Sequence, residues 1–157
     1  MIRVEPSALQ PTIRLLAGKK TSGEPVFEEV PVEELTPPGE YRLLASPGLV
    51  LGVACGDVVR VDSTTGEFDV LLRGGNLCIQ LYGPPPVGDS VAQAIESLGG
   101  WRDGRASKLT VFTLPAVRGF SEVENVLNSV AEENSGVEWF YGNVYEKDGV
   151  TPLNWWK

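Results

Sequence analysis

The sequence predicts an α+β protein: a small β-barrel-like half over residues 1–74 packed on a β-α-β-β-α-β half over 75–147, and a docked tail over 148–157. Three observations predict it. As far as Leu72 the chain is a series of short apolar runs broken by Gly, Pro, Asp and Thr clusters about every ten residues, the rhythm of a small barrel or strongly bent sheet. Beyond Arg73-Gly74-Gly75, two stretches adopt the i, i+3, i+4, i+7 spacing of amphipathic helices. Strand-like runs flank each of them.

The first half is organised around Leu49–Val61, LVLGVACGDVVRV, in which two β-branched apolar runs meet at Gly56-Asp57. With the polar turn Asp62–Glu67 and FDVLL behind it, this stretch predicts a hairpin in the core. Upstream, TIRLLA (12–17) reads as a strand and Gly18–Gly23 as a loop. PVFEEVPVEEL reads as an edge strand, because Pro25 and Pro31 each lack a ladder donor. Thr36–Gly39 is a turn, and EYRLLA (40–45) is the next strand.

In the second half NLCIQLY (76–82) sets Leu77, Ile79 and Leu81 against Cys78, Gln80 and Tyr82, a strand with one strongly apolar face. The three prolines of Gly83–Gly88 suggest a stiff connector. Asp89 or Ser90 then caps a helix carrying Val91, Ala94, Ile95 and Leu98 and ended by Gly99-Gly100. A short strand at Trp101-Arg102 turns at Asp103-Gly104 into KLTVFTL (108–114), stopped by Pro115. Ser121 and Glu124 have the spacing of a capping box, ahead of a helix with Val123, Val126, Leu127 and Val130 on one side. Asn134–Gly136 ends it and VEWFYGNVY (137–145) is the last strand. That order is the split βαβ, or ferredoxin-like, unit. The final Trp155-Trp156 predicts a tail that docks.

Gly52, Gly56-Asp57-Val58-Val59-Arg60, Leu114-Pro115 and the aromatic strand around Trp139 and Tyr141 together resemble a family of bacterial proteins known only as a domain of unknown function. In that family a β-rich half closing on a G-D-x-V-R strand precedes a ferredoxin-like half. The resemblance runs from about residue 10 to about residue 145. Where members often vary a histidine or cysteine near the middle glycines, this chain has Arg73-Gly74-Gly75-Asn76. The resemblance implies the fold and carries over no catalytic residue.

Composition narrows the chemistry. The chain has no histidine, which removes Ser-His-Asp and Cys-His relays, histidine-type zinc sites and the usual general base near neutral pH. A net charge of -8 repels phosphate backbones and acidic membrane surfaces, so neither nucleic acid nor membrane is an expected ligand. The start, MIRVEPSALQP, has no signal pattern, and no run is long enough to span a bilayer, which together predict a cytoplasmic protein. Cys55 and Cys78 lie in apolar runs and are expected reduced and buried. Cys55 is a poor nucleophile, since its neighbour Asp57 would raise the thiol pKa. Asp57 and Arg60 could pair around a ligand, but an Asp after Gly at a turn more commonly bonds its own backbone. Arg73–Asn76 precedes a strand rather than a helix, unlike a phosphate loop, and suggests a hinge. No cofactor or metal is expected.

Charge patterning is the sharpest functional signal. Between Gly23 and Tyr41 lie Glu24, Glu28, Glu29, Glu33, Glu34 and Glu40 with no basic residue, and between Gly119 and Glu146 lie Glu122, Glu124, Glu132, Glu133, Glu138 and Glu146, again with none. Trp101, Trp139, Phe140 and Tyr141 could supply the buried centre of an interface beside these acids. The expected function is therefore non-enzymatic: an immunity protein that neutralises a basic, nuclease-type toxin by covering its active site with carboxylates. A regulatory small-molecule-binding domain of ferredoxin-like type is the alternative, with Val87–Ser90 as its candidate glycine-rich helix start.

Overall fold

Two antiparallel sheets and two α-helices make up the fold over the described residues, 5–7 and 9–157 of this computed structural model. The first sheet contains β1 (Thr12–Lys19), β2 (Pro25–Glu34), β3 (Glu40–Leu43), β4 (Val58–Val61) and β5 (Phe68–Leu72), hydrogen-bonded in chain order. A backbone bond of 2.9 Å from Leu16 N to Gly66 O ties β1 to the β4–β5 turn. The sheet thus curls on itself without closing into a barrel. Its concave face buries Leu15, Val30, Val32, Leu43 and Val59 together with Val50 and Val53.

Strand β2 is not at an edge. It lies between β1 and β3, and Pro31 falls where it exchanges one partner for the other: Pro25–Pro31 pair with β1 and Val32–Glu34 with β3. There the missing N–H comes at the end of a ladder, while the Pro31 carbonyl still accepts from Leu44 N at 3.0 Å.

Only the second part of Leu49–Val61 is a strand. β4 forms the expected hairpin with β5, and Asp62 Oδ1 accepts from Thr64 N and Thr65 N in the turn between them. Residues 46–57 instead form an irregular buried loop. Its backbone donors are met by side chains: Glu28 carboxylate oxygens accept from Gly48, Leu49 and Val50 N–H at 2.8–2.9 Å, and Ser46 Oγ accepts from Cys55 N at 3.0 Å. An apolar run signals burial, and acceptors remote in sequence let that burial be irregular.

The second sheet has the order β7-β8-β6-β9, built from β6 (Asn76–Tyr82), β7 (Trp101–Arg105), β8 (Leu109–Pro115) and β9 (Glu138–Tyr141). Helices α1 (Pro85–Ser97) and α2 (Ser121–Glu133) pack Val91, Ile95, Val123 and Leu127 on Ile79, Leu81, Phe112 and Leu114. The other face of β6 is covered too: Cys78 Sγ and Gln80 Nε2 each lie 3.4 Å from Pro47 O of the 46–57 loop. Beside them the buried hydroxyls of Ser46 and Thr113 meet at 2.6 Å and bridge the two sheets.

Three boundaries differ from expectation. Helix α1 starts at Pro85 rather than near Asp89, because Pro85 and Pro86 occupy first-turn positions whose N–H groups have no helical acceptor. Strand β7 continues through Asp103-Gly104 as a bulge, since the Asp103 carboxylate accepts from Trp101 Nε1 and Thr113 Oγ1 and is thereby fixed in the sheet. Ser121 is the first helical residue of α2 and makes no capping bond; Phe120 precedes it at the cap position. The capping box is absent because Glu124 is engaged elsewhere, as described below.

The segment Arg73–Asn76 is pinned rather than loose. Gly74 N donates to Asp57 Oδ1 at 2.7 Å, Asn76 Nδ2 donates to Cys55 O, and a Cβ on Gly74 would come within 2.4 Å of the Gly56 backbone. At the C-terminus Leu153 N donates to Val144 O and Trp155 Nε1 to Asn143 O, both at 2.8 Å. Both cysteines are buried thiols. No helix among the described residues is long and apolar enough to cross a membrane.

Candidate functional site

The two acidic runs fare differently in space. Acids of the first run meet cations from a neighbouring strand or across a turn: Glu33 pairs with Arg42, Glu40 with Arg60 at 3.2 Å, and Glu24 with Lys20 at 3.3 Å across the β1–β2 turn. Antiparallel pairing brings these partners in from outside the window that lacks them. Glu28 is consumed by the three loop N–H groups, leaving Glu29 and Glu34 exposed on β2. In the second run Glu122, Glu132 and Glu133 are exposed on α2 and Glu138 on β9, with no ion pair among the described residues.

Of the candidate aromatics, Trp101 is 8% exposed and lies on β7, at the opposite sheet edge from the others. It is not available as an anchor. Trp139, Phe140 and Tyr141 lie side by side on β9. Trp139 Nε1 donates to Asn128 Oδ1 of α2, and the Tyr141 hydroxyl donates to Glu124 Oε2 at 2.8 Å. Burial and the adjacent carboxylate push the Tyr141 phenol well above its ordinary range, so it remains a donor.

These three aromatics and Glu124 form part of one wall of a long open groove of about 1850 Å³ between the sheets. The opposite wall is the open side of the first sheet, from Arg60 to Asp62 and Glu67 to Val70, and the floor comes from Leu49, Leu51 and the tail hairpin Tyr145–Gly149. Phe140 is 51% exposed, Leu49 52% and Leu51 59%, large apolar groups left facing water. Tyr82 stands edge-on to Phe140, with ring centroids 5.9 Å apart.

Carboxylates outnumber cations on these walls: Asp62, Glu67, Asp69, Glu124, Glu146 and Asp148 against Arg60, Arg73 and Lys147. Two of the cations are already paired outside the groove, Arg60 with Glu40 and Arg73 with Asp57 at 3.4 Å. Bonds from the Thr151 hydroxyl and the Thr151 and Val150 N–H groups lower the Asp148 carboxyl pKa and also close the tail hairpin.

The Asp57–Arg60 pair does not form. Asp57 is buried and accepts from Ala54 N, Gly74 N and Arg73. Burial raises its carboxyl above the ordinary value, with these donors pulling the other way. Burial likewise pushes the Cys78 thiol far up. Val87 and Gly88 lie at the start of α1, where both are buried and a Cβ on Gly88 would meet Thr110 of β8. Among the described residues no three His, Cys, Asp or Glu side chains gather around a possible metal position.

The structure therefore brings together Glu124, Trp139, Phe140 and Tyr141 and leaves Trp101, the β2 acids and the outer face of α2 elsewhere. Asp62, Glu67, Asp69, Tyr82, Tyr145 and Asp148 are groove residues that sequence reasoning missed. Each lies in what reads locally as a turn, strand or tail, and only tertiary assembly places them around one space.

Comparison with known proteins adds a family and a fold. The chain belongs to the family described as a domain of unknown function (DUF4265), which matches residues 28–139. A solved structure described as the novel crystal structure of a hypothetical protein from Neisseria gonorrhoeae superposes with a TM-score of 0.68 at 15% identity, covering 87% of this chain and 96% of that one. The two share a fold. No curated protein matches.

Proposed function

We propose that this member of an uncharacterised family is a non-enzymatic protein-binding protein whose inter-sheet groove holds a cationic partner. The partner we put forward is a basic, nuclease-type toxin, making the chain a bacterial, cytoplasmic immunity protein. Its C-terminal half we read as ferredoxin-like, a β-α-β-β-α-β chain with the fourth, first, third and second strands adjacent, and its N-terminal half as an opened barrel.

One observation carries the reading: exposed rings and carboxylates that make no ion pair among the described residues share a single groove of about 1850 Å³. Small-ligand sites are typically about 300–1,000 Å³ and closed over most of the ligand. A groove this long and open fits a segment of protein better, which weighs against the small-molecule alternative. Large rings beside carboxylates are also what a cationic interface uses, the rings as desolvated anchors and the charges to speed and steer association.

The test is co-purification with the basic product of an adjacent toxin gene, followed by charge reversal. Asp69→Lys with Glu146→Lys, both exposed on the groove, should slow association and weaken binding by at least about tenfold at low salt. Glu132→Lys with Glu133→Lys, on the outer face of α2, should change binding much less. Equal losses from the two pairs would move the contact off the groove, and indifference to both would end the electrostatic reading.

A further inference from the structure

We propose that the partner segment binds as an added β-strand on the outer edge of β9, an extended stretch carrying lysine or arginine at alternate positions. This rests on the groove reading above and specifies how the groove is used.

The register identifies which backbone groups are free to do this. Gly142 N donates to Cys78 O, and Ile79–Tyr82 pair in unbroken register with Tyr141–Glu138. Alternation along an antiparallel ladder then turns the N–H and C=O of Glu138 and Phe140 toward β6, and those of Trp139 and Tyr141 outward. On its other side β6 obeys the same alternation: Gly83 N donates to Lys108 O and Ala116 N to Gly75 O, so its odd-numbered residues bond to β8 and its even-numbered residues to β9.

The other sheet edges carry register breaks and basic side chains, and β9, though short, carries neither. Strand β1 has a register break between Leu16 and Gly18 and carries Arg14 and Lys19. The pairing of β5 with β4 breaks between Val58 and Val59, and β7 bulges between Arg102 and Gly104 with Arg102 and Arg105 on it. Bulges and basic side chains are how sheets avoid pairing with another chain. Strand β9 has neither: its sequence is Glu138-Trp-Phe-Tyr141, with no proline, no cation and no break.

What flanks this edge selects the incoming strand. Trp139 and Tyr141 pack toward the helical core, while Phe140 points the other way beside Tyr82 and offers an apolar contact for one face of the added strand. Glu124, bonded to Tyr141 on the helical side, and Glu146 and Asp69 line the same groove, so cationic side chains of the visitor have carboxylates to meet. Main-chain pairing would give affinity, and charge would give specificity, as in other cases of strand addition.

The experiment uses the full chain with a synthetic peptide alternating lysine and valine, a second in which glutamate replaces lysine, and two lysine peptides N-methylated at complementary alternate positions. The expected result is that the lysine peptide slows amide exchange at Trp139 and Tyr141 at least about tenfold and leaves Phe140 unchanged, that only one of the two N-methylated peptides loses binding, and that the glutamate peptide binds at least about tenfold more weakly. Binding with unaltered exchange at Trp139 and Tyr141, and with both N-methylated peptides equally good, would overturn strand addition while leaving a side-chain grip on cations intact. Equal affinity for the lysine and glutamate peptides, or no binding of either at millimolar concentration, would overturn both readings.

Discussion

Asp57 shows how much one buried carboxylate can organise. It accepts from Ala54 N at 3.0 Å in its own turn, from Gly74 N at 2.7 Å in the connector and from Arg73, joining the 46–57 loop to the entrance of the second sheet. Replacing it with alanine leaves those donors unmet in a dry site and should cost about 2–4 kcal/mol, measured by urea unfolding. Its pH dependence has a definite sign. The folded-state pKa is raised above the ordinary 3.8, so the stabilising contribution of its proton is complete below 3.8 and is lost as pH rises through the folded value. Relative to Asp57→Asn, which cannot titrate there, the natural protein should lose stability as pH climbs from just under 4. A difference that stayed flat or grew with pH would contradict the assignment. Local sequence was enough to anticipate the turn bonding of Asp57, since Gly-Asp at a turn has a short-range logic. It could not disclose Arg73 as its ionic partner, sixteen residues on.

Helix α2 separates what periodicity determines from what it does not. Of the stripe Val123, Val126, Leu127 and Val130, Val123 and Leu127 are fully buried in the core and Val130 packs partly buried against it. Its start follows a different rule from the capping box that its letters spell. Glu124 is held by the Tyr141 hydroxyl at 2.8 Å, which links the first turn of α2 to β9, and Ser121 has no capping role. Two substitutions should therefore behave oppositely. Tyr141→Phe should cost about 1 kcal/mol through the lost hydrogen bond, whereas Ser121→Ala should stay within about 0.5 kcal/mol, less than a genuine cap would lose. Thermal melts of the two variants decide it, and a larger loss from Ser121→Ala would mean that the cap forms after all. Asp103-Gly104 and Pro84–Pro86 follow the same logic. Their turn signals are real local preferences, but a carboxylate captured by Trp101 and Thr113, and a helix able to begin on prolines, override them.

At the scale of the whole chain, the candidate site exists only because two sheets are held at a fixed separation by a polar and apolar seam. Its walls come from residues 60–70 and 139–149, too far apart in sequence for any window to join them, and this is why the acids that cluster along the chain are mostly not the acids that cluster in space. The seam consists of Ala54, Cys78 and Val111 around the Ser46–Thr113 hydroxyl pair. Thr113 also donates to Asp103, and Ser46 also accepts from Cys55 N, so a chain of buried bonds crosses from one half to the other. Thr113→Val keeps the volume and removes the hydroxyl that donates to Asp103 and meets Ser46, a loss of about 1–3 kcal/mol. If the seam couples the halves, the loss must appear in both. Tryptophan fluorescence reports only the second half and the tail, where Trp101, Trp139, Trp155 and Trp156 all lie, while amide exchange at Val30 and Val59 reports the core of the first sheet. Equal free-energy losses by the two measurements are expected. A fluorescence transition that moved while exchange at Val30 and Val59 did not would mean that the halves unfold separately, and that the groove between them has no fixed width with which to recognise anything.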